Sequence, residues 1–116
     1  MDEPLNYVRV HRRKSCLSQR ELGDLVGNDA GQISKHERSC SLPTLLVAIG
    51  YSIVFRTSIP DIFTGLHESL AESIEERLSE LEQTLRQCDG KDVRAALTAR
   101  KLEWLRERRV RSNSLR

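Results

Sequence analysis

Aromatic side chains are scarce in this chain, 4% of 116 residues, against 38% hydrophobic and 31% charged residues overall. A core must then be built from aliphatic stripes, the habit of helical proteins, while the hydrophobic share is too large for a chain disordered throughout. No apolar run approaches the ~20 residues needed to span a bilayer, and the opening MDEPLNYVRVHRRK lacks the apolar core of a signal peptide. A cytoplasmic protein with no membrane contact is expected. The three cysteines, Cys16, Cys40 and Cys88, are odd in number and lack the paired spacing of a zinc site. They read as reduced thiols, with Cys16 near Lys14 the one mild candidate for a reactive thiol. His11, His36 and His67 are scattered without nearby acidic or cysteine clusters, so no metal and no cofactor is expected. Nothing pairs a nucleophile with a base or cradles a phosphate on glycines, which argues against an enzyme.

What is present is strongly partitioned. Residues 1–65 carry eight Lys/Arg and seven Asp/Glu, residues 66–90 two and seven, and residues 91–116 nine and three, giving +1, −5 and +6. The acidic middle can pair with the basic end, or the basic end can meet a polyanion. The length suits one compact domain, or a small domain with a helical arm.

The first 65 residues are dense in helix punctuation. A helix over Asn6–Lys14 should turn Leu5 and Val8 inward. Ser18 with Glu21 three residues on is a capping-box signal. Leu22, Leu25 and Val26 supply the apolar stripe that follows, and Gly27-Asn28 supplies the stop. Asp29 and Gln32 repeat the capping logic and open a short helix across Asp29–Arg38. Ile33 is its one clear apolar anchor, so most of its surface is not built for a core. Pro43-Thr44 opens LLVAIGYSIVF, read as a supporting helix in preference to a strand at Ser52–Phe55. Ser58 with Asp61 caps one more turn, carrying Ile62 and Phe63, and Gly65 is expected to close the unit.

Beyond Leu66 the pattern changes. Ile74, Leu78, Leu81, Leu85 and Cys88 recur at spacings of four and three, the heptad pattern of a coiled-coil seam. Leu66 and Leu70 extend the stripe backwards. Asp89-Gly90 should break this helix, and a last helix from about Asp92 carries Val93, Leu97, Leu102, Trp104 and Leu105. The expectation is an all-α chain with a helical unit at residues 1–65 and an amphipathic helical hairpin with a basic tail at 66–116.

The segment LSQRELGDLVGNDAGQISKHERSCSLPT resembles the Cro/repressor-type, or XRE-like, helix-turn-helix family through Leu17-Ser18-Gln19, Glu21-Leu22, Gly27, Ile33-Ser34, Glu37 and Pro43. The resemblance covers about residues 5–65 and not the C-terminal arm. Gly23 stands where the family usually has alanine, Ser39 where it usually has glycine, and His11 in a commonly aliphatic slot. The resemblance implies a lambda-repressor-like five-helix DNA-binding domain whose helix at Asp29–Arg38 enters the major groove. Gln32 and Lys35 would then reach base edges, Ala30 would meet a thymine methyl, and Gly31 would permit close approach. Gln19, Ser34 and Arg38 would hold phosphates. Arg12 and Glu37 fall where relatives form a structural ion pair.

The function expected on these grounds is a sequence-specific regulator, a repressor in the first instance, that binds double-stranded DNA at an inverted repeat as a homodimer. The seam Ile74, Leu78, Leu81, Leu85 and Cys88 is the expected dimer device. The alternative is an antitoxin or similar module whose C-terminal helices cover a second protein.

Overall fold

A computed structural model describes residues 6–87 and 94–114, and every regular element among them is helical. The order is α1 (Val8–Lys14), α2 (Gln19–Val26), α3 (Ala30–Glu37), α4 (Leu45–Phe55), α5 (Ile59–Ile62), α6 (Thr64–Arg86) and α7 (Ala95–Ser114). No described helix is long and apolar enough to cross a membrane. The chain divides into two compact units, residues 1–70 and 71–116, and the division falls inside α6.

Each helix start in the first unit has a chemical cause. Ser18 Oγ accepts from Glu21 N at 3.0 Å, and the Glu21 carboxylate accepts from Ser18 N at 2.9 Å, which closes the capping box. The Ser18 backbone N–H, and after it the Ser18 hydroxyl, hold the Glu21 carboxyl below its usual pKa. Asp29, Thr44 and Ser58 each accept from the amide three residues on, at Gln32, Val47 and Asp61. Asn6 serves α1: its Oδ1 accepts from Val8 N at 3.1 Å.

The helix ends are less uniform. Gly27 ends α2 at φ 75°, a left-handed conformation that glycine adopts without penalty. Cys16, Ser39 and Arg56 take the same region at φ 60°, 59° and 49° without being glycine. Each such residue costs on the order of 1 kcal/mol, which the surrounding packing must offset.

Gly65 does not close the unit. It lies in the first turn of α6, where amides have no intrahelical acceptor and a glycine weakens the helix least. The break falls two residues earlier, at Phe63 with φ −110° and ψ 50°, and His67 N then donates to Phe63 O at 2.8 Å. The expected boundary at residue 65 therefore gives way to one five residues further along.

The core of the first unit joins Val8, Leu22, Ile33, Val47, Ala48, Tyr51, Ile62 and Phe63, with Val26, Val54, Phe55 and Ile59 packed around it. α2 packs against α3 and α4, α4 against α5, and α1 against α3. Gly23 and His11 each have a local reason. A Cβ on Gly23 would sit 2.4 Å from the Asn28 carbonyl oxygen, so the turn after α2 runs too close for alanine. The His11 ring stacks on Phe55 with centroids 5.3 Å apart. α4 is apolar on every side: Val47, Ala48 and Tyr51 face the core, while Leu45, Leu46 and Ile53 are exposed.

In the second unit α6 and α7 are linked by two ion pairs, Glu75 with Arg108 and Glu82 with Arg109. The acidic middle of the chain thus meets the basic end. The Glu75 carboxyl is held below its usual range by its hydrogen bond to Arg108. Leu85 and Leu105 are the hydrophobic residues buried here. The break expected at Asp89-Gly90 and the helix start near Asp92 lie outside the described residues, as do Leu5, Cys88 and Val93.

Candidate nucleic-acid interface

α3 divides into a buried and an open side. Ile33, fully buried, and His36, 3% exposed, anchor it. Gly31, Lys35 and Arg38 are exposed, and Ala30, Gln32 and Ser34 are half-buried. The side chains of Gln32, Ser34 and Lys35 have no hydrogen-bond or ion-pair partner among the described residues. Arg38 makes one long contact, Nε to Ser34 O at 3.4 Å. The helix therefore presents a row of small and polar side chains that the chain itself leaves unused.

Behind this face the helix is fixed by charge. Arg12 Nε donates to Glu37 Oε2 at 2.6 Å and its Nη2 to Oε1 at 3.1 Å, a bidentate pair. Arg12 Nη1 donates to Leu17 O at 2.9 Å, so one guanidinium ties α1 to α3 and to the residue just before α2. The pair is well shielded, at 12% and 2% exposure, and the hydrogen bond to Glu37 raises the Arg12 pKa. Gln19 is drawn into the same group: its Nε2 donates to Glu37 Oε1 at 3.2 Å. Its side chain is thus already engaged inside the protein, unlike those of Gln32 and Lys35.

A second buried network was not legible beforehand. The His36 ring Nδ1 lies 2.7 Å from Tyr51 Oη, and burial lowers the pKa of that imidazole. Burial, and secondarily the charge of Glu37, raise the Tyr51 pKa. Asn6 Nδ2 donates to His36 O at 2.9 Å and to Ser39 Oγ at 3.0 Å. Ser39 exchanges the conformational ease of glycine for that bond. The one signal for this network was an asparagine, a residue type favoured at helix caps, just before α1.

The expected seam divides in the second unit. Ile74 and Leu81 are exposed at 43% and 42%, and Leu78 is half-buried. Leu85, at 8%, is already covered within the chain and cannot contribute a free surface. On α7, Leu97 and Trp104 are exposed at 54% and 52%, which adds two apolar residues that the heptad on α6 did not include. No group of side chains among the described residues could hold a metal ion. Comparison with family models, with curated proteins and with solved structures found no match to this chain.

Proposed function

We propose that this chain is a sequence-specific DNA-binding regulator, a repressor acting as a homodimer on an inverted repeat, with α2, the turn at Gly27–Asp29 and α3 as its helix-turn-helix. The observation that carries this reading is the open side of α3. Gln32 and Lys35 are donors without internal partners on a short helix that is otherwise rigidly held by Ile33, His36 and the Arg12–Glu37 pair. A helix of this size fits a major groove about 12 Å wide, with N-terminal residues at base edges. Ala30 and Gly31 then lie closest to the bases, and Ser34 and Arg38 meet phosphates. Gln19 acts through its place in the ion-pair group as well as at the backbone of the DNA. With two polar readers per protomer, sequence-dependent DNA shape shares the discrimination.

Selection of bound duplexes from a random pool tests the reading directly: an inverted repeat with half-sites about one helical turn apart is the expected product. On the selected site Lys35→Ala should cost about 1–3 kcal/mol and relax one position, while Arg38→Ala should weaken all sequences evenly and flatten the salt dependence. Equal losses on selected and random DNA for both variants would remove base reading from Lys35.

A second reading is favoured by the exposed apolar residues Ile74, Leu81, Leu97 and Trp104. The hairpin then covers another protein, as in an antitoxin, and a second chain copurifies with this one at fixed stoichiometry.

A further inference from the structure

At the C-terminal end of α3 the first unit forms a half-open cavity of about 300 Å³, at the lower end of the range for small-molecule sites. The geometry points to a binding site for a small, uncharged, amphipathic molecule, and its walls define that chemistry. One side is polar, formed by Asn6, His36, Ser39 and Ser41. The other is apolar, formed by Leu42, Phe63 and Leu66, and the apolar lining continues past Phe63 to Ala48 and Ile59. No Asp, Glu, Lys or Arg is among the described lining residues. A charged guest would meet no counter-charge on these walls to offset the water it gives up, so they favour an uncharged one.

The polar wall has hydrogen-bonding capacity to spare. Ser41 Oγ is buried without a partner, the one such side-chain atom among the described residues. His36 uses Nδ1 toward Tyr51, and its Nε2 has no partner among the described residues. A guest with a hydroxyl or carboxamide head and a short alkyl body meets both walls, its head among His36, Ser39 and Ser41 and its body on Phe63 and Leu66. Ser39 and His36 also form the last turn and the stop of α3, and Asn6 holds them both. An occupant that competes for these bonds changes how α3 is held. This regulatory half rests on the reading of α3 as the DNA-contacting helix; occupancy of the cavity does not.

The test uses the full-length protein, labelled with ¹⁵N, and hexanamide as the probe. A molecule this small binds in the millimolar range, so the titration runs to about 20 mM. Hexanamide should shift the backbone amides of Ser39, Ser41, Phe63 and Leu66 saturably, whereas hexanoate and hexylamine should not. Ser69 lines the cavity yet is exposed, so Ser69→Phe should fill the mouth and abolish the shifts without lowering Tm. Absence of saturable shifts, equal binding of hexanoate, or unchanged shifts in S69F would overturn the site. With the cavity saturated, affinity for a selected operator should change by about fivefold or more. Shifts without that change would overturn the regulatory half alone. A protein that shows the shifts and binds no DNA would sink the DNA reading and leave the cavity site standing.

Discussion

The two units solve the problem of apolar burial differently. The first unit buries eight hydrophobic residues, five of whose side chains are fully enclosed, whereas the second buries Leu85 and Leu105 among its described residues. The first also seals the starts of α2, α3, α4 and α5 with side-chain caps and holds α1 to α3 with a shielded ion pair. The second relies on ion pairs in which the Glu75–Arg108 partners retain 59% and 35% exposure, a class of interaction worth little in water. At roughly 1.5–3 kcal/mol for each large apolar side chain fully buried, the described residues of the second unit draw much less from burial than those of the first. The first unit is built to be stable by itself. Under the reading proposed above, the second is completed by a second copy of the chain.

Breaking that completion should give the largest effect. Leu81→Glu together with Trp104→Glu places charges on the two exposed lines of α6 and α7 while leaving Leu85 and Leu105 in place. Light scattering should show dimers for the parent chain and monomers for the double variant. Affinity for a two-half-site operator should fall by about 10²-fold or more, the gain that linked half-sites ordinarily provide, while the far-ultraviolet helical signal persists. A parent chain that is monomeric at about 100 µM, well above the concentrations at which a dimer of this kind should form, would reduce the hairpin to a docking surface for some other protein.

The contrast in ion pairs supplies the next effect. Arg12→Ala leaves Glu37, 2% exposed, without its partner, and the cost should be about 3 kcal/mol, the low end for a buried pair because Arg12 keeps some contact with water. DNA affinity should fall with it. Glu75→Ala in the second unit should leave the thermal midpoint where it is. If R12A instead binds DNA poorly at unchanged stability, the arginine contacts DNA itself and the architectural role is wrong.

Much of the first unit could be read directly because its helix starts rest on local chemistry. Ser18 with Glu21, Asp29 with Gln32, Thr44 and Ser58 all bond within three residues, so spacing alone locates them. The stops at Cys16, Ser39 and Arg56 carry no such mark: their left-handed backbone accompanies bonds from the next amide back to the helix, Leu17 N to Arg12 O, Cys40 N to Lys35 O and Thr57 N to Ser52 O, which any residue type can make. Gly65 misled for the converse reason: a glycine signals a stop only where φ is positive, and this one is helical. In the candidate interface, periodicity exposes the open side of α3 but cannot show that Gln19 is shared with Glu37, since that contact spans 18 residues. The heptad on α6 likewise gives a face and not its mate. Leu85 is satisfied inside the hairpin, Leu81 is not, and nothing in their common spacing separates them.

The smallest effect concerns pH and again distinguishes the units, because a buried imidazole, His36, lies in the core of the first. Burial holds His36 below its ordinary value of about 6.5, so the folded chain takes up this proton less readily than the unfolded chain. Above that value both states carry a neutral ring, and the contribution of His36 to stability is complete. As pH falls below it, the unfolded chain is protonated first and stability declines until the folded pKa is passed. Among the groups that face the ring, the nearest is the Tyr51 hydroxyl, 2.7 Å from Nδ1. That hydroxyl can donate to the neutral ring, so burial and this bond both fit an imidazole that stays uncharged in the folded chain. The thermal midpoint should therefore drop between pH 7 and pH 5.5, and His36→Gln, which keeps an acceptor for Tyr51, should flatten that decline. A parent chain whose midpoint is level through this window would mean that the cavity beside His36 hydrates the ring well enough to ionise it in place.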